Sequence, residues 1–83
     1  MWNRHEDHLE AKFQFKDFTS AFSFMTRVAF EAEKAQHHPN WSNEFNKVHI
    51  TLSTHDEGNV ITEKDEKLAD KIAEIYSSWP AKG

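Results

Sequence analysis

The stretch Glu33-Lys34-Ala35-Gln36-His37-His38-Pro39-Asn40-Trp41 joins a predicted helix to a predicted strand. The helical pattern runs through Gln36, and an alternating pattern begins at Trp41. Pro39 disfavours helical geometry at His38, so the helix is predicted to end there. Two adjacent imidazoles therefore lie where the helix passes into the sheet, and the neighbouring elements decide which side chains meet them.

The helix before this junction is predicted over Phe18–Gln36, with Asp17 as its N-cap. Residues spaced alternately by four and three define its predicted stripe, apolar except at the last: Phe18, Phe22, Met25, Ala29, Ala32 and Gln36. Phe24, Val28 and Phe30 fall off this stripe. We expect the helix to pack on a sheet through the stripe and on another subunit or partner through the second surface.

Strand patterns lie on both sides of the helix. Leu9, Ala11, Phe13 and Phe15 alternate with polar residues, which predicts a half-buried strand. A short first strand led by Trp2 is predicted before it, separated by a polar turn over Asn3–His8. Between Trp41 and Ser53 the buried set changes from odd to even positions, which predicts two antiparallel strands with a turn at Asn46-Lys47.

A second helix is predicted after the loop Asp56–Asn59, with Thr62 as its N-cap and Asp65 completing a capping box. Its apolar stripe consists of Leu68, Ile72, Ile75 and Trp79, and Pro80 ends it. The predicted order is β-β-α-β-β-α. We therefore expect an α+β fold: a two-layer sandwich with a four-stranded antiparallel sheet and both helices on one face, forming a single domain over residues 1–83.

Composition excludes several classes of protein. The 83 residues carry a net charge of −4, which argues against direct nucleic-acid binding, and no cysteine, which excludes disulfides and thiolate metal sites. No apolar run approaches the ~20 residues of a membrane span, and no signal peptide is recognisable. The expectation is a small cytoplasmic domain (nuclear also, if the source is eukaryotic) that associates with copies of itself to bury more surface.

The predicted hairpin returns the end of its second strand, His55, to the junction that holds His37 and His38. Glu33 lies one helical turn before His37 and is expected on the same face, and Asp65 lies in the first turn of the last helix. Three imidazoles and two carboxylates at one end of the sheet suit proton transfer near neutral pH, such as the elimination of water.

Two other interpretations of these histidines stay open on the residues alone. His37, His38 and His55 can form a three-histidine zinc site, or the adjacent pair can simply interact with the helix end. Glu33 can pair with a lysine instead of a histidine. His5 and His8 are interpreted as surface residues in preference to metal ligands, and His49 as a structural or exposed residue in preference to a catalyst.

Over Phe13–Asp65 the sequence resembles the pterin-4a-carbinolamine dehydratase family. The segments that carry the resemblance are Phe22–Ala29, Ala32–Lys34, His37–Pro39, Trp41, Asn46–His55 and Thr62–Asp65. The resemblance implies a hydro-lyase that dehydrates 4a-hydroxytetrahydrobiopterin to quinonoid dihydropterin, in the recycling of tetrahydrobiopterin, without a metal or organic cofactor.

The same resemblance assigns roles to residues. It implies that His37, His38 and His55 are general acids and base, in an order left open, and that Glu33 and Asp65 support them. The backbone segments expected to hold the pterin are Gln36-His37-His38 and Ser53-Thr54-His55-Asp56. The expected assembly is a homodimer or homotetramer. Some animal members bind a homeodomain transcription factor, so the alternative function is a protein-binding module that uses the helical face, including Phe24 and Phe30.

Overall fold

The computed structural model describes residues 1–55 and 58–80 of the chain. In chain order its elements are β1 (Asn3–Arg4), β2 (Leu9–Gln14), α1 (Phe18–Ala35), β3 (Asn40–Glu44), β4 (Lys47–Leu52) and α2 (Glu63–Ser77). The strands form one antiparallel sheet in the order β1-β2-β4-β3. The predicted α+β fold, with its β-β-α-β-β-α order, is confirmed.

The alternation along β2 and β4 decides which sheet face carries the core. Three directly opposed apolar pairs are buried on that face: Leu9 and Leu52, Ala11 and Ile50, and Phe13 and Val48. The residues that alternate with these along β2 and β4 are polar, so the opposite face of the sheet is solvated. Both helices therefore pack on one face, and the histidine junction lies at the edge of this core.

The turn between β3 and β4 occupies Phe45-Asn46, one residue earlier than predicted. Phe45 adopts a positive φ of 51°, which an L-residue rarely does without compensation. The amide of Asn43 donates to the carbonyls of Phe45 and Lys47, at 3.1 and 2.8 Å. The amide of Asn46 donates to the Phe15 carbonyl at 2.9 Å. These bonds fix the hairpin, which returns the chain after β4 towards the end of α1.

The predicted core stripe of α1 is wrong. The buried residues are Ala21, Phe24, Val28 and Ala32, whereas Phe18 and Phe22 are half exposed and Phe30 is more so. At 100° per residue, the buried face is rotated by roughly 80° from the predicted one. Both sets repeat at helical spacing, and only contact with the sheet distinguishes them. Phe24 packs against Phe15 and Phe13 at ring-centroid distances of 4.9 and 5.2 Å, so it belongs to the core.

The second helix begins and packs as its pattern predicts. Thr62 is the N-cap, and Leu68, Ile72 and Ile75 are buried. Trp79 lies beyond the helix end and packs partly buried against Phe24. Trp2 donates its indole N–H to the Ala69 carbonyl at 3.1 Å, which ties the start of the short strand β1 to α2. Neither helix, within the described residues, is long and apolar enough to cross a membrane.

The two faces of α1 can be compared by paired substitutions. We expect Phe24→Ala to reduce the free energy of unfolding by about 3–5 kcal/mol, because it leaves a cavity among four aromatic rings. The control Phe22→Ala should change it by about 0.5 kcal/mol or less in dilute protein, because Phe22 is already half exposed. Urea denaturation followed by circular dichroism measures both. Equal losses in the two variants would contradict the observed burial.

Candidate functional site

The end of α1 places the two adjacent histidines. Gln36 adopts the left-handed conformation with φ 53°, and its N–H donates to the Glu33 carbonyl at 3.1 Å. The N–H of His37 donates to the Ala32 carbonyl at 3.1 Å, which completes a Schellman motif. The backbone therefore leaves the helix at a defined angle, and His37 and His38 follow in extended chain before β3.

His37 lies against a buried carboxylate. Its Nε2 is 2.5 Å from Oδ1 of Asp65, and the two side chains are 10% and 0% exposed. Because the carboxylate oxygen only accepts, Nε2 carries the hydrogen and Nδ1 is left for a second partner. The predicted support of a histidine by Asp65 therefore has a geometric basis.

The other oxygen of Asp65 is held by the residues around the start of α2. Its Oδ2 accepts from the Thr62 N–H at 2.9 Å, which completes the predicted capping box, and from the Thr54 hydroxyl at 2.8 Å. Burial raises the pKa of Asp65, but the hydrogen bonds from Thr62, His37 and Thr54 outweigh it, so the net pKa lies below its ordinary value. Asp65 is therefore an ionised, fixed acceptor for His37.

His38 pairs with the second predicted carboxylate. Its Nε2 is 2.8 Å from Oε1 of Glu33, in an exposed pair with side chains 62% and 72% accessible. The expectation that Glu33 shares a face with His37 is wrong, because the helix ends at Ala35 and the left-handed Gln36 turns His37 away. Glu33 thus contacts His38, and each of the two adjacent histidines has its own carboxylate.

His55 follows β4 in a tight turn. Its Nδ1 donates to the side-chain oxygen of Asn59 at 2.6 Å, which leaves Nε2 for a second partner. Thr54 and Val60 form an isolated antiparallel bridge that holds the two sides of this turn together. Asn59 was not predicted as a site residue, although its position four residues after His55 in a Gly-Asn loop was a possible signal.

The hairpin brings the predicted residues together. Gln36, His37, His38, His55 and Lys64 line one open depression of about 320 Å³ at the end of the sheet. This volume is at the lower end of the range for small-molecule sites. Lys64 was not predicted as a site residue, although it lies beside Asp65 in the capping sequence.

Three further residues were predicted to hold the pterin, namely Ser53, Thr54 and Asp56. Ser53 is half-buried, and Thr54 is buried with its hydroxyl turned to Asp65, so its side chain serves the carboxylate. Asp56 lies outside the described residues. Trp41 packs partly buried against the core.

The geometry does not favour a zinc site at the depression. Among the described residues, which include all six histidines, the one group of three ligand atoms within 4.8 Å of one another consists of His5, His8 and Glu10. A larger hollow, about 490 Å³, lies on the polar sheet face and is lined by residues such as Lys12, Glu44 and Lys47. It has no cluster of histidines, so the chemistry points to the depression at the sheet end.

The stabilising effect of the ionised Asp65 carboxylate can be tested by measuring thermal stability as a function of pH. A lowered pKa stabilises the fold above the unfolded-state value of about 3.9, and this contribution is lost as the pH falls through the folded-state pKa. We expect Asp65→Asn to lower the melting temperature at neutral pH, and the gap from the parent to narrow only below about pH 5, as the pH falls towards the folded-state pKa.

The control for this test is Asp70→Asn, which changes an exposed carboxylate on the same helix. Thermal melts of the three proteins across the pH range give the comparison. A gap between parent and Asp65→Asn that stays constant with pH would contradict the role of the charge.

Comparison with known proteins identifies a matching family and several relatives. The model of the Pterin 4 alpha carbinolamine dehydratase family matches residues 1–75. A Christiangramia forsetii protein named "Putative pterin-4-alpha-carbinolamine dehydratase" is 53% identical over 77 residues, which are 93% of this chain and 78% of that protein. A Prochlorococcus marinus protein of the same name is 53% identical over 75 residues, 90% of this chain and 77% of that protein.

A solved structure agrees with these sequence matches. The crystal structure of a transcriptional coactivator/pterin dehydratase from Brucella melitensis superposes with a TM-score of 0.85 at 44% identity, covering 90% of this chain and 81% of that one. The chain therefore belongs to the Pterin 4 alpha carbinolamine dehydratase family.

Proposed function

We propose that this protein dehydrates a pterin-4a-carbinolamine, such as 4a-hydroxytetrahydrobiopterin, to the quinonoid dihydropterin, as a step in pterin recycling. One observation carries the proposal. Each of the three histidines at the depression has one ring nitrogen bound to an acceptor of this chain, which leaves the other nitrogen for substrate. Family membership and relatives named as pterin dehydratases support the choice of substrate.

The general acid is assigned to His37 and His38, because each of them pairs with a carboxylate. A carboxylate beside an imidazole stabilises its protonated form. His37 has a buried carboxylate, Asp65, and His38 has an exposed one, Glu33. The interaction is stronger where water is excluded, so His37 is the better-held donor and His38 a second one open to solvent.

The base is assigned to His55. Its partner, the uncharged Asn59 amide oxygen, accepts from Nδ1 and fixes the ring. The base in this proposal is the lone pair of Nε2. His55 reaches the depression from the turn after β4, whereas His37 and His38 reach it from the end of α1, so acid and base come from different segments.

His37 and His55 together account for both proton transfers of the proposed reaction. The imidazolium of His37 gives its proton to the 4a-hydroxyl, the C4a–O bond breaks, and water leaves. The N5–H proton passes to Nε2 of His55, and the electron pair of that bond forms the C4a=N5 double bond. The backbone of Gln36–His38, of Ser53–His55 and of Asp56 is proposed to hold the ring, as the family resemblance implies.

Single substitutions test the assignment. His37→Gln and His55→Gln should each lower kcat for dehydration of freshly generated 4a-carbinolamine by about 10²–10⁴-fold, because each removes one proton-transfer partner. The control is His49→Gln, since His49 also pairs with a carboxylate but lies on the far sheet face. Stopped-flow absorbance, corrected for the uncatalysed decay, gives the rates. Parent-like rates in both site variants would refute the mechanism.

A second candidate function uses the outer surface of α1. Phe18 and Phe22 contact each other with ring centroids 5.8 Å apart, and with Phe30 they remain half or more exposed. We propose that this surface holds copies of the chain together as a homodimer or homotetramer, or binds a transcription factor. The Brucella melitensis protein described as a transcriptional coactivator supports the second occupant.

Light scattering tests this surface. Phe22→Asp should reduce the solution mass of an oligomer because it puts a charge in the contact. Phe24 is unsuitable for this test, since it is fully buried in the core. Phe45→Asp, which changes an exposed aromatic residue in the β3–β4 turn, is the control. A parent mass that Phe22→Asp leaves unchanged would contradict the proposal for self-association.

A further inference from the structure

A second group of imidazoles and carboxylates lies at the turn between β1 and β2, at the outer edge of the sheet. His5 and His8 begin and end this turn, and the His5 N–H donates to the His8 carbonyl at 2.9 Å. Their rings stack with centroids 4.4 Å apart and planes 16° apart. Glu10, in β2, places Oε1 2.8 Å from Nε2 of His5. Two imidazoles and a carboxylate thus share one small surface.

The spacing of these groups suits a transition-metal ion. One ligand atom from each of His5, His8 and Glu10 lies within 4.8 Å of the other two. Ligands bound at about 2.1 Å around a tetrahedral zinc ion lie roughly 3.4 Å apart, so side-chain rotations that turn the stacked rings towards one point close the set. These side chains are partly exposed, which leaves room for those rotations and for a water as fourth ligand.

The outer partners that zinc ligands require are already present. Oδ1 of Asp7 accepts from Nδ1 of His8 at 2.6 Å, which leaves Nε2 for an ion. Nε2 of His49 lies 2.6 Å from Oε2 of Glu10, which leaves Oε1 for the same ion. Carboxylates behind metal-binding histidines, and donors behind metal-binding carboxylates, orient the ligands and raise affinity. The arrangement therefore supplies side chains that orient the ligands as well as the ligands themselves.

We propose that His5, His8 and Glu10 form a zinc site, with Asp7 and His49 as the side chains that orient the ligands. The ion takes the place of the hydrogen shared between His5 and Glu10 and leaves one coordination position to water. Bound zinc fastens the β1–β2 turn, and so the two-residue strand β1, to the sheet. This site does not depend on the proposed dehydratase activity.

Zinc chloride titration of the untagged, metal-stripped protein tests the proposal, with a chromophoric chelator as competitor. We expect one zinc ion per chain. His5→Gln, His8→Gln and Glu10→Gln should each weaken binding by about tenfold or more, and Asp7→Asn by roughly tenfold. Zinc should also raise the melting temperature of the parent, and less so that of His8→Gln. Melts without zinc establish that each variant is folded.

His38→Gln and His55→Gln are the matched controls, since they remove exposed histidines from the other end of the sheet. They should retain the zinc affinity of the parent. The proposal is overturned if the parent binds no zinc, or if His5→Gln and His8→Gln bind as the parent does. It is also overturned if the controls lose the ion, because that outcome places zinc in the histidine depression.

Discussion

The ionised carboxylate of Asp65 has no solvent exposure, and the end of the sheet is built around the groups that compensate it. An isolated charge in such a place costs several kcal/mol, so the fold is stable only while the donors stay in place. Those donors are the Thr62 N–H, the Thr54 hydroxyl and His37, and they belong to the start of α2, the chain after β4 and the chain after α1. One carboxylate therefore holds three segments in register at the site.

This constraint explains why the two adjacent histidines differ. His37 contacts the buried charge, whereas His38, one residue later, is exposed and pairs with Glu33. Exposed ion pairs contribute little to stability, so the His38–Glu33 pair can separate at small cost. In the proposed site, the buried pair supplies the fixed geometry and the exposed pair supplies access.

The sequence was sufficient for the features that depend on local pattern. Alternation identified β2 and β4, the phase change identified the hairpin, and the capping sequence placed Asp65. It was insufficient where two solutions share one period: the stripes containing Phe22 and Phe24 are both helical, and only packing on the sheet selects Phe24. The pairing of Glu33 with His38 depended on a left-handed Gln36, which its residue type does not favour.

All six histidines are held by acceptor side chains, yet the two ends of the sheet arrange them differently. At the depression each imidazole has its own acceptor, so one nitrogen of each ring is fixed and the other is left for the proposed pterin. At the β1–β2 turn Glu10 accepts from both His5 and His49, and one ligand atom from each of His5, His8 and Glu10 lies within 4.8 Å of the other two. The first arrangement suits the proposed proton transfers, whereas the second suits the proposed single cation.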